Sequence, residues 1–128
     1  MKKAIVVISF DGYKDLWDTF FECYEKFFPD CTLPFYLITN NEMPIYPHVT
    51  VVTTGNEVSW SHRLRSALEK IPEDTLLLLL EDYFLCEKTD SEKIDELFRV
   101  FAEKDYDYMR VIPIPVQHRK EPVGAYPL

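Results

Sequence analysis

The chain has 128 residues, 47% of them hydrophobic, with 22 acidic side chains against 14 basic ones and a formal net charge of -8. That length is about one domain and the apolar content suffices for a sizeable core, so residues 1–128 are expected to fold as a single domain. The acidic balance excludes broad attraction to nucleic acid or anionic lipid, so a phosphate-bearing ligand would need locally placed basic groups or a metal.

The opening "MKKAIVVISFDGY" lacks an extended apolar segment with a small-residue cleavage site, and the leucine run 76–80 is far short of the roughly 20 residues of a membrane span. A cytoplasmic protein with no membrane span is expected. Cys23, Cys31 and Cys86 are odd in number and have no metal-ligand spacing, which fits reduced packing residues. His48, His62 and His118 are scattered and suggest neither a metal set nor a proton shuttle.

In chain order, "AIVVIS" (4–9) is apolar without alternation, the pattern of a strand covered on both faces. From Tyr13 the apolar positions Leu16, Trp17, Phe20, Phe21, Tyr24, Phe27 and Phe28 recur at helical spacing, and Pro29 stops the helix. "FYLITN" (35–40) and "VTVVTT" (49–54) read as strands, with Gly55 closing the second. In "SWSHRLRSALEKI" a helical stripe runs through Trp60, Leu64, Ala67, Leu68 and Ile71, with Ser59 or Ser61 as N-cap.

"LLLLL" (76–80) is expected in the core, because burying one leucine is worth roughly 1.5 to 3 kcal/mol. Glu81 and Asp82 follow at once, so they must sit where the core opens or beside a cation. Thr89 and Glu92 suggest a capping box before a third helix carrying Ile94, Leu97, Phe98 and Phe101, and "DYMRVIPIP" suggests a last strand. This order predicts an α/β fold: a three-layer, Rossmann-like, mainly parallel sheet with helices on both faces.

Ligands of open α/β sheets bind beyond the carboxyl ends of the strands, and those ends are polar here: Ser9 to Tyr13, Thr39 to Asn41, Thr53 to Asn56, and Glu81 with Asp82. Carboxylates on that rim can hold a hard cation that carries phosphate oxygens on its other side, and Arg63, flanking the stripe of its helix, could reach the same rim. The single glycine of "GNEVSWS" is not a phosphate-cradling glycine-rich loop, which disfavours a kinase or dehydrogenase. Glu81 and Asp82 as a plain solvated strand end, and Trp60 as either a core anchor or a base-stacking platform, stay open.

On "VVISFDGYKDLWDTFF", "FYLITNN", "SWSHRLRSAL" and "LLLLLEDYFL", the chain is similar to the nucleotide-sugar-binding half of a GT-A glycosyltransferase, of the small bacterial polysaccharide-locus type. The resemblance implies binding of a nucleotide-diphospho-sugar with Mn2+ or Mg2+ and sugar transfer to a glycan or lipid-linked acceptor, in the cytoplasm or peripherally at the inner membrane face. Carried over residue by residue, it implies Asp82 and neighbouring Glu81 at the metal. Ser9, Asp11, Tyr13 and Asn40 would contact the nucleotide, with Trp60 and Arg63 on the helix bordering the diphosphate. Two features depart from the family. No aspartate pair is spaced by one residue, and the chain ends at "HRKEPVGAYPL", where these enzymes continue into an acceptor-binding half, so no catalytic base is nominated. The alternatives are a non-catalytic transferase-fold binding module, which could homodimerise through an uncovered apolar face, and a nucleotidyltransferase.

Overall fold

The computed structural model describes residues 1–56 and 59–111, together with the backbone of Ala125–Tyr126. The chain divides into two compact units, Met1–Ser91 and Glu92–Leu128.

The first unit is built on β1 (Lys3–Ile8), α1 (Trp17–Phe27), β2 (Phe35–Thr39), β3 (Val49–Thr53), α2 (Trp60–Leu68) and β4 (Thr75–Leu80). The four strands form one sheet in the order β3-β2-β1-β4, and every pairing is parallel. In β1, Ile5 and Val7 face one side and pack with Leu37 against Trp17, Phe20 and Phe21. Val6 and Ile8 face the other and pack with Ile38 and Val52 against Ala67 and Ile71. Helices therefore cover both faces of an α/β, Rossmann-like sheet, which is why β1 shows no polar alternation.

Several sequence expectations change. The helix expected from Tyr13 begins as a 3-10 segment, Asp11–Leu16, kinked at Tyr13, and becomes α-helical at Trp17. It ends at Phe27, because Pro29 keeps the residue before it out of the helical region: Phe28 lies at φ -139 and ψ 52. Ser59, not Ser61, caps α2, its hydroxyl accepting from the His62 amide. Trp60 is 55% exposed at the first position of α2, and the buried side of the helix centres on Arg63 and Ala67.

The leucine strand is corrected too. None of Leu76 to Leu80 is fully buried, and Leu78 and Leu80 are 44% and 37% exposed. The apolar run is right for a strand, but β4 is an edge, bonded among the described strands to β1 alone. An apolar run reports what a strand can bury and not which neighbours it has.

The third helix, α3 (Ser91–Glu103), starts one residue later than a Thr89 cap implies, and Phe98 is the buried member of its expected stripe. In the second unit, β5 (Tyr108–Met109) pairs antiparallel with β6 (Ala125–Tyr126), forming a separate ladder in place of a further parallel strand. Residues 112–115 of the expected last strand, and His118, lie outside the described residues. Among the described residues no helix is long and apolar enough to cross a membrane.

Candidate functional site

Because β1 to β4 are all parallel, their carboxyl ends share one rim. The chain steps from β1 to β2 to β3 in one direction, and α2 then returns it to β4 on the far side of β1. The crossovers diverge between β1 and β4, the point at which open α/β sheets leave a ligand crevice. Ser9 follows β1 there and Glu81 follows β4; both are buried, as is Arg63 of α2.

These three groups and Thr39 are the buried polar residues among the described ones, so each needs a partner. The Arg63 guanidinium donates through Nε to Thr54 Oγ1 at 3.0 Å and through a terminal nitrogen to the Ser9 carbonyl. Thr54 in turn donates to the Thr39 carbonyl at 3.1 Å, which ties the ends of β1, β2 and β3 to one side chain. Ser9 Oγ accepts the indole N–H of Trp17 at 2.8 Å. Among the described residues no carboxylate lies within 4.0 Å of Arg63, so its charge is held by hydrogen bonds and by the fields of Asp11 and Glu81.

Burial lowers the Arg63 pKa, against the opposing pull of Asp11 and Glu81. Burial likewise raises that of Glu81. Asp82 beside it adds to the rise, while its own backbone amide, the Ser9 hydroxyl and Arg63 work against it. The paired carboxylates of the leucine strand thus divide: Glu81 turns into the protein and Asp82 is exposed on the rim.

Asp11 and Asn40 form a reciprocal clasp. The Asp11 amide donates to Asn40 Oδ1 at 2.9 Å, and the Asp11 carboxylate accepts the amides of Asn40 and Asn41, each at 3.0 Å. Asn40 also reaches Gly55, its side-chain amide donating to the Gly55 carbonyl at 3.1 Å while its own carbonyl accepts the Gly55 amide at 2.9 Å. Gly55 can present both groups because it adopts φ +71, a conformation that side chains disfavour. Tyr13 is exposed, its ring centroid 4.3 Å from that of Phe10.

The structure therefore brings Ser9, Arg63 and Glu81 together in the crevice and places Asp11 with Asn40 beside them in the β1 and β2 loops. It sets Tyr13, Trp60 and Asp82 outside, facing solvent. Sequence reasoning missed the parts played by Thr54 and Trp17. Trp17 could have been suspected, since a buried indole N–H needs an acceptor and Ser9 is near in sequence.

Among the described residues no group of three or more His, Cys, Asp or Glu side chains could hold a metal ion. An all-protein cage does not fit this rim. Of the two adjoining carboxylates Asp82 alone is exposed, so a hydrated ion shared with phosphates would rest on that one side chain, with buried Glu81 behind it. Fold and rim together define a Rossmann-like α/β domain with a polar switch-point crevice. In comparisons with known proteins, the chain matches no family model, no curated protein and no solved structure.

Proposed function

We propose that the chain is a GT-A-like donor-binding domain that takes a nucleotide-diphospho-sugar at the β1/β4 crevice and serves sugar transfer to a glycan or lipid-linked acceptor. The observation that carries this reading is the convergence of Ser9, Arg63 and Glu81 at the switch point beneath an exposed aspartate. Asp82, with Glu81 behind it, is the carboxylate set for Mn2+ or Mg2+; when bound, such a cation neutralises the charge of the departing diphosphate. Arg63 acts from within as a fixed positive charge, because two of its donors are spent on Thr54 and Ser9. The clasp of Asp11 and Asn40 sets the loops against which the nucleoside lies, and Trp60 and Tyr13 offer exposed aromatic faces for a base. A location in the cytoplasm or at the inner membrane face is part of the same proposal.

Calorimetric titration with a panel of nucleotide-diphospho-sugars, with and without Mn2+, tests it. Metal-dependent binding of one donor supports the proposal, and no binding to any donor overturns it. A second reading, a non-catalytic module on the same fold, is favoured by the Asp11 carboxylate, which is occupied by backbone amides. Donor binding without hydrolysis or transfer to any acceptor would select that reading.

A further inference from the structure

The flank of α2 that faces away from β3 carries a second surface. Arg63 and, just past the helix end, Lys70 tie α2 to the β3 side by donating to Thr54 Oγ1 and to the Thr53 carbonyl. Leu64 and Leu68 lie about 100° and about 140° around the helix from Arg63, away from that attachment. A shallow, open depression on α2 is lined by Ser61, Leu64, Arg65, Leu68 and Glu69. Leu78 and Leu80 are further exposed apolar side chains on the sheet face that α2 covers, since they share it with Val6 and Ile8. The two rows match in length: the eight steps of helix from Trp60 to Leu68 rise about 12 Å and the four steps of strand from Leu76 to Leu80 about 13 Å.

The charges beside this surface are self-complementary. Arg65 and Glu69 are both highly exposed and meet loosely at 3.8 Å within the helix. A two-fold axis passing by Ser66 and Ala67 runs a second α2 antiparallel to the first. It sets Arg65 opposite Glu69 of the partner when level with Ala67, and Leu64 opposite Leu68 of the partner when level with Ser66, two positions about 1.5 Å apart along the helix. Such an isologous contact uses one patch twice, as two-fold dimers do.

We propose that this surface docks a second copy of the chain, with Leu64, Leu68, Leu78 and Leu80 at the centre and two Arg65–Glu69 pairs across the axis. The inference is independent of the donor reading, because the depression lies on α2 below the rim.

Sedimentation equilibrium of the full chain without nucleotide tests it, in enough salt to screen the charge of -8 on each copy. Wild type is expected to pass from 15.2 kDa toward twice that mass as concentration rises. Arg65→Glu and Glu69→Arg, surface changes whose folding is checked by circular dichroism, should each stay monomeric. In an equimolar mixture the glutamates of one variant meet the arginines of the other, so association should return. A wild type that stays monomeric throughout, single variants that associate as wild type does, or a mixture that stays monomeric would each overturn the proposal.

Discussion

Asp11→Ala removes one carboxylate from a place where backbone amides converge. Its oxygens accept Asn40 and Asn41 at 3.0 Å each, and the Glu42 amide points between them at 3.4 and 3.3 Å. A hydrogen bond to a charged group contributes roughly 1.5 to 3 kcal/mol, and here part of it is recovered because water reaches the loop. Two full bonds and one weak one, discounted for that exposure, give a loss of about 3 kcal/mol. For a chain of this size that is a fall in Tm of about 10 °C. Asp11→Asn keeps one acceptor oxygen and should recover about half of the loss. Urea unfolding without ligand reads the effect, with the midpoint falling and the slope unchanged. A loss below about 0.5 kcal/mol, the range of an ordinary surface change, would refute a structural clasp and return Asp11 to ligand contact alone.

Glu81 makes stability depend on pH with a definite sign. Its folded pKa is raised, so the folded state holds the proton more tightly than the unfolded chain does. The contribution is present below the usual glutamate value of about 4.3 and is lost as pH rises from there through the raised value. Glu81→Gln should remove that loss and be relatively more stable at neutral than at acid pH; equal differences at both would contradict it. Arg63→Met should destabilise by about 2 to 4 kcal/mol, and Arg63→Lys should not rescue it, since a single ammonium cannot serve Thr54 and the Ser9 carbonyl in the fixed geometry of the guanidinium. Full rescue by lysine in thermal unfolding would point to charge alone. Asp82→Ala should leave Tm within about 1 °C, because its side chain is exposed, while abolishing Mn2+-dependent nucleotide binding in calorimetry. Unchanged affinity would remove Asp82 from the metal role.

The parallel sheet was legible because each strand is a short apolar run bounded by turn residues, and the helix period in 60–71 put Arg63 within reach of the rim. Glu81 was legible as a problem in charge: a carboxylate abutting five leucines has to be paired, and its partners proved to be Ser9 and the field of Arg63. What the sequence did not display depends on distant neighbours. Asp11 meets Asn40 across 29 positions, and neither residue type signals the other. The exposure of Leu78 and Leu80 follows from the position of β4 in the strand order, which local composition does not encode. Trp60 kept its place in the helical period but is exposed at the first position of α2, and the period does not show where a helix end leaves its neighbours.

The proposed function requires that ligand bind at the rim between β1 and β4. Titrating the isotope-labelled chain with a nucleoside diphosphate and Mg2+ while following backbone amide resonances tests it most directly. Shifts are expected to concentrate at Ser9, Asn40, Thr54 and Glu81, with Phe35, Val49 and Thr75 at the opposite ends of the strands unmoved. Shifts confined to those opposite ends, or none at saturating ligand, would contradict it.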